Sequence, residues 1–110
     1  MNHIPTPQEL IDLIASVTPL TPEQYPALGQ LTGEPRENFI IGHSVRHLSA
    51  FTGAMQKAIE NAEHGEPLDK KTIARKITAC SFAIYKLCEV MKISGDEWAR
   101  EIESMANELK

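Results

Sequence analysis

Residues 41–92 read IGHSVRHLSAFTGAMQKAIENAEHGEPLDKKTIARKITACSFAIYKLCEVMK, and this stretch decides the fold. Its first half carries apolar or small side chains at Ile41, Val45, Leu48, Thr52, Met55 and Ile59, in alternating steps of four and three. Its second half repeats the pattern at Ile73, Ile77, Cys80, Ile84, Leu87 and Met91. Steps of four and three place such residues on one face of a helix. Between the two runs stand Gly65, Pro67 and Asp69, a glycine stop, a short turn and an N-cap. Two facing stripes joined by a tight turn predict an antiparallel helical hairpin. The expected helices span about 35–64 and about 69–92, with Ile84 in mid-stripe and fully covered by the facing helix.

Working outward, Thr6-Pro7-Gln8-Glu9 has the form of a capping box with proline at the first helical position. It predicts a helix through Ser16 that buries Leu10, Ile11, Leu13 and Ile14 and ends before Pro19. Residues 18–35, rich in proline, read as a winding connector with one short helical turn around 22–31. Ser94-Gly95-Asp96-Glu97 is a second capping box, opening a closing helix with Trp98, Ile102, Met105 and Leu109 at steps of four, three and four. No run alternates apolar and polar residues between turn signals, so the expectation is all-α, a bundle of about four helices. The chain reads as one helical domain over 1–110, with 1–34 as N-terminal helix and connector and 35–110 as hairpin plus closing helix. Thirty helical residues span about 45 Å, more than the roughly 34 Å diameter of a compact domain this size. The long helix therefore either kinks, at Gly42 or Gly53, or protrudes and pairs with a copy, so a homodimer or higher oligomer is expected. Phe39, Ile40 and Phe51 lie off the stripe and need cover.

Composition narrows the function classes. With 110 residues, 42% hydrophobic, 24% charged and a net charge of −4, the chain is of ordinary globular composition. It lacks the basic stripe of a duplex nucleic-acid binder. No run reaches the roughly 20 apolar residues of a membrane helix, and the first ten residues lack the pattern of a signal peptide, so a cytoplasmic protein is expected. Cys80 and Cys88 are eight residues apart on one helix, about 12 Å of rise, too far for a disulfide; both read as core.

The candidate chemistry is sparse. His43 and His47 share a helix face and could supply two ligands to a divalent transition metal, with Arg46 alongside. Ser44 stands where the glutamate of an H-E-x-x-H site would be, which excludes that metalloprotease chemistry, and a two-histidine site needs a third ligand. The plainer reading is two ordinary histidines. Glu60, Glu63 and His64 gather at the end of the same helix as a candidate ligand or partner contact, or simply as a solvated helix end. Lys70, Lys71, Arg75 and Lys76 form a basic patch that a solvated face explains equally well. Trp98 is a candidate contact with a protein partner.

Residues 40–103 resemble the core of the MazG-like all-α nucleoside triphosphate pyrophosphohydrolases. The similarity rests on Leu48-Ser49-Ala50-Phe51-Thr52-Gly53-Ala54-Met55 at the first acidic motif, Lys76-Ile77-Thr78-Ala79 at the second, the run from Ala83 to Ile93, and Ser94-Gly95-Asp96-Glu97-Trp98 opening the closing helix. The family's chemistry needs carboxylates converging on Mg²⁺. On this register the acidic positions hold Ala50, Phe51, Ala54, Lys76 and Ala79, none of which ligates a hard cation. The resemblance therefore implies a non-catalytic scaffold, with no resident cofactor, that self-associates and binds a protein partner or small ligand. Two alternatives are a divergent metal-dependent hydrolase using His43, His47 and Glu60 or Glu63 across a dimer, and a helical adaptor meeting its partner through Trp98 and the connector.

Overall fold

The computed structural model describes residues 3–110; Met1 and Asn2, which enter only the reading of the first ten residues, lie outside it. Over the described residues the chain is all-helical, with no strand. It comprises α1 (Pro7–Val17), a 3-10 turn (Pro26–Gly29), α2 (Gly33–Glu63), α3 (Lys70–Val90) and α4 (Gly95–Glu108).

The starts of the helices follow from local chemistry. At α1 the Glu9 amide donates to Thr6 Oγ1 at 3.2 Å, and the Thr6 amide donates to Glu9 Oε1 at 3.0 Å. At α4 the Glu97 amide donates to Ser94 Oγ at 3.1 Å, with the Ser94 amide donating to Glu97 Oε1 at 3.4 Å. Asp69 caps α3 by accepting from the Thr72 amide at 2.7 Å. Each cap satisfies amides that the first helical turn leaves without partners. At the far end of α2, Gly65 takes φ +99°, a left-handed conformation that stops the helix without a Cβ penalty. α2 begins two residues earlier than the sequence suggests, with Thr32 as N-cap, and α3 ends at Val90.

α2 and α3 pack along each other as the hairpin, α1 lies on α3, and the start of α4 lies on α1. The 31 residues of α2 reach about 46 Å. That nearly matches the 49 Å longest extent of the molecule, and the Cα radius of gyration is 16.7 Å. A compact chain of this length has about 13 Å, so the hairpin protrudes.

In α2 the core lies one residue off the expected stripe, while in α3 Cys80 of the stripe is buried as expected and its other buried positions lie beside the stripe. In α2 the buried positions are Ile40 and Ser44, while Val45 and Ile59 are exposed. In α3 the buried positions are Cys80, Ala83 and Cys88, both cysteines being free thiols. Ile84 is only half-buried, and Ile77 and Met91 are exposed. In α1, Ile11 and Ile14 are buried, Leu10 is half-buried and Leu13 stands out into solvent. The physical reason is that α1 and α4 cover only one end of the hairpin. Apolar residues at its free end, and on the side away from α1, have nothing in the chain to pack against.

Candidate functional site

Where the connector between α1 and α2 folds back over the hairpin, it encloses a cleft of about 440 Å³. One wall is the stretch Val17–Thr21 with Gln24 and Tyr25; the second is His43, Ser44, His47 and Phe51 of α2; the third is Phe82, Ala83 and Lys86 of α3. Three distant parts of the sequence thus meet at one place. No aspartate or glutamate lines it.

The α2 wall belongs to a row of rings whose first member, Phe39, lies outside the cleft lining. Phe39, His43, His47 and Phe51 follow each other at four-residue steps, so their side chains stack up one face. The His43 and His47 ring centroids are 4.2 Å apart, and those of His47 and Phe51 are 5.5 Å apart in an edge-to-face arrangement. Tyr25 joins from the connector, its ring 4.7 Å from His43 and 6.2 Å from Phe39. Its hydroxyl lies 3.4 Å from His43 Nε2, close enough for a weak bond in which Tyr25 donates to a neutral imidazole.

At the base of the cleft is Ser44. Its residue surface is only 2% exposed, yet Oγ has no hydrogen-bond partner in the protein. Helical hydroxyls ordinarily turn back onto a carbonyl of the preceding turn. Thr78 does so, donating to the Ala74 carbonyl at 2.8 Å, and Ser81 donates to the Ile77 carbonyl at 3.0 Å. A buried hydroxyl with no partner is costly, and native proteins rarely keep one without a use.

The charge in and around the cleft is positive. Burial holds His43 below the usual histidine range, and the nearby His47, Arg46 and Lys86 push it further down. The Lys86 side chain is 14% exposed and pairs with Glu89 at 3.0 Å, outside the cleft lining. Because protonated His43 is disfavoured in the folded state, the unfolded chain binds the extra proton more readily. Stability is therefore complete above the normal histidine pKa of about 6.5 and falls as pH drops below it. Urea unfolding at pH 7.5 and 5.0 is expected to show a lower midpoint at pH 5.0, with the drop reduced in His43→Phe. An equal drop in the variant would contradict this assignment. The capping carboxylates Glu9 and Asp69 are themselves held below their ordinary range, so they titrate in more acid solution and leave this window to histidine.

The sequence-predicted candidates separate. His43 and His47 come together in the cleft, but among the described residues no group of three or more His, Cys, Asp or Glu side chains gathers as a metal centre. The pair stacks as rings. Arg46 sits beside it, its guanidinium folded over Gly42. Glu60, Glu63 and His64 are exposed at the C-terminal end of α2, beyond the last cleft residue of that helix, Phe51, and do not join the cleft. Trp98 is half-buried and packs edge-on against Tyr85 of α3 at 4.9 Å, so it serves the seat of α4. Reading the sequence missed Tyr25, Phe82 and Lys86, and it took the two histidines as a pair when the same spacing extends to Phe39 and Phe51. Among the described residues no helix is long and apolar enough to cross a membrane. No known family model, curated protein or solved structure matches the chain.

Proposed function

We propose that this chain is a non-catalytic binding protein on a MazG-like helical scaffold, taking a small molecule into the cleft between the connector and the hairpin. The carrying observation is Ser44, a buried hydroxyl without a partner at the base of a cleft walled by aromatic rings. Mostly apolar concavities with a few convergent polar groups are the usual form of small-molecule sites. A Mg²⁺-dependent hydrolase would need several oxygen ligands near 2.1 Å from the ion. The cleft offers no carboxylate, and Phe51, at one of the family's acidic positions on the register of the resemblance, contributes a ring to its wall. The test pairs turnover with binding. Pyrophosphate release from the standard and deoxy triphosphates with Mg²⁺ is expected to stay at background. The neutral fluorescent reporter N-phenylnaphthylamine is expected to bind saturably and to be excluded by Thr21→Trp on the cleft rim. Robust Mg²⁺-dependent turnover would overturn the non-catalytic reading, and reporter binding indifferent to Thr21→Trp would overturn the cleft as the site.

Self-association belongs to the same reading, with a second copy as the occupant of the bare helix faces. The outer part of α4 exposes Ile102, Met105 and Leu109 between Glu101, Glu103 and Glu108. The start of α3 exposes Ile77 with Lys70 seven residues before it on the same face, while Lys71 and Arg75 turn away from it. One surface is apolar with an acidic border and the other carries Ile77 in line with Lys70, so α4 of each copy can dock on α3 of the other about a two-fold axis. Light scattering at micromolar concentration is expected to give about twice the chain mass of 12.2 kDa, and Met105→Glu to return the single-chain mass. A single-chain mass for the unaltered protein would contradict self-association.

A further inference from the structure

We propose that the ligand is a small aromatic carboxylate, its ring against the α2 ring row and its carboxylate shared by the Ser44 hydroxyl and the Lys86 ammonium. This rests on the reading that the cleft binds a ligand, and it adds the chemistry of that ligand.

Three features of the cleft select it. The first is shape and surface: His43, His47 and Phe51 form one wall and Phe82 stands on another helix, so a flat ring entering the cleft meets rings. Aromatic pairs at centroid distances of about 4.5–7 Å gain more than their buried area alone. The second is the sign of the charge. Lys86 lines the cleft, Arg46 adjoins it and no acid lines it, so an anion is attracted and a cation repelled. Lys86 is held by Glu89 only through a pair spaced three residues along one helix, with Glu89 well exposed. A ligand carboxylate can take the place of the exposed Glu89 as partner of the ammonium, one ion pair exchanged for another. The third is the hydroxyl. Ser44 Oγ–H lacks an acceptor in the protein and is closed off from solvent, so a ligand reaches it only as the lining side chains yield; a carboxylate oxygen is then a strong acceptor for it.

The same features set the charge of the ligand. One ammonium and one hydroxyl match one carboxylate. A triphosphate would bring several charges into an apolar cleft with too few cations to neutralise them.

The test uses naphthoate, its neutral isostere naphthamide and the chain-like acid decanoate, each titrated into the 110-residue chain and followed by backbone amide chemical shifts. Naphthoate is expected to shift amides between His43 and Phe51 and between Phe82 and Lys86, and to bind about tenfold or more tighter than naphthamide. Lys86→Met, which keeps the stem and removes the charge, is expected to bring that ratio to about one while leaving naphthamide binding in place. Raising the salt concentration on the unaltered protein is expected to weaken naphthoate alone, which tests the charge without any variant. Equal binding of naphthoate and naphthamide in the cleft overturns the carboxylate assignment and leaves the binding reading standing. Tighter binding of decanoate overturns the aromatic part. If no probe moves the cleft amides at millimolar concentration, or if those amides move with protein concentration alone, the cleft is not a small-molecule site and both readings fall.

Discussion

Gly95→Ala is expected to destabilise the fold by about 3 kcal/mol, although it adds one methyl group to a residue that opens a helix. A Cβ at Gly95 would stand 2.5 Å from the Gln8 backbone nitrogen and 2.9 Å from Gln8 Cα. Backbone cannot swing aside as a flexible side chain can. The contact is drawn tight because the Gly95 amide donates to Gln8 Oε1 at 2.7 Å, tying the start of α4 to the start of α1. An alanine must therefore separate the two helices, losing that hydrogen bond and loosening the Trp98–Tyr85 contact behind it. Gln8→Ala removes the bond without the clash and is expected to cost about 1 kcal/mol. Urea unfolding of the two variants compares them directly. If Gly95→Ala cost no more than Gln8→Ala, the close crossing of α1 and α4 would be wrong.

The second large effect separates two neighbouring positions on α1. Ile14→Ala is expected to cost about 2–5 kcal/mol, because Ile14 is buried beneath the helix and its removal leaves a cavity. Leu13→Ala is expected to cost less than about 1 kcal/mol, because Leu13 is 54% exposed. Sequence periodicity treats the two alike. A large loss at Leu13 would mean that α1 sits rotated from the face described, or that a second copy covers it. Repeating the measurement at high dilution distinguishes those two outcomes.

The contrast between Leu13 and Ile14 shows what could be read in the residues and what could not. The caps at Thr6, Asp69 and Ser94 were legible because a cap is local, made by a side chain and an amide two or three residues on. The glycine stop at Gly65 was legible for the same reason. The buried face of α2 was not. Apolar residues occupy 39, 40, 41, 45 and 48, a band wide enough for two adjacent rows, and periodicity cannot choose between Ile40 and Ile41. The choice falls to whichever helix lies opposite, and it put polar Ser44 inside and Val45 outside.

The site was legible in fragments. His43 and His47 stood out by their spacing, and the same four-residue step from Phe39 to Phe51 was available as a signal for the ring row. Tyr25 and Phe82 carried no such signal. They reach the cleft because the proline-rich connector winds back over the hairpin, and no local pattern encodes that path. Ser44 is the extreme case. As a sequence symbol it marked only the absence of a catalytic glutamate, and its significance comes from burial without a partner, a property of the folded surroundings.

Ser44 is therefore where the account is most directly tested, by the urea-unfolding free energy of Ser44→Ala in the absence of any added ligand. A buried hydroxyl that bonds to nothing in the protein contributes only its desolvation cost. Removing it is expected to leave stability unchanged or to raise it by about 1 kcal/mol. A loss of more than about 1 kcal/mol would show that the hydroxyl is bonded within the fold, contradicting the claim that it is held ready for a ligand.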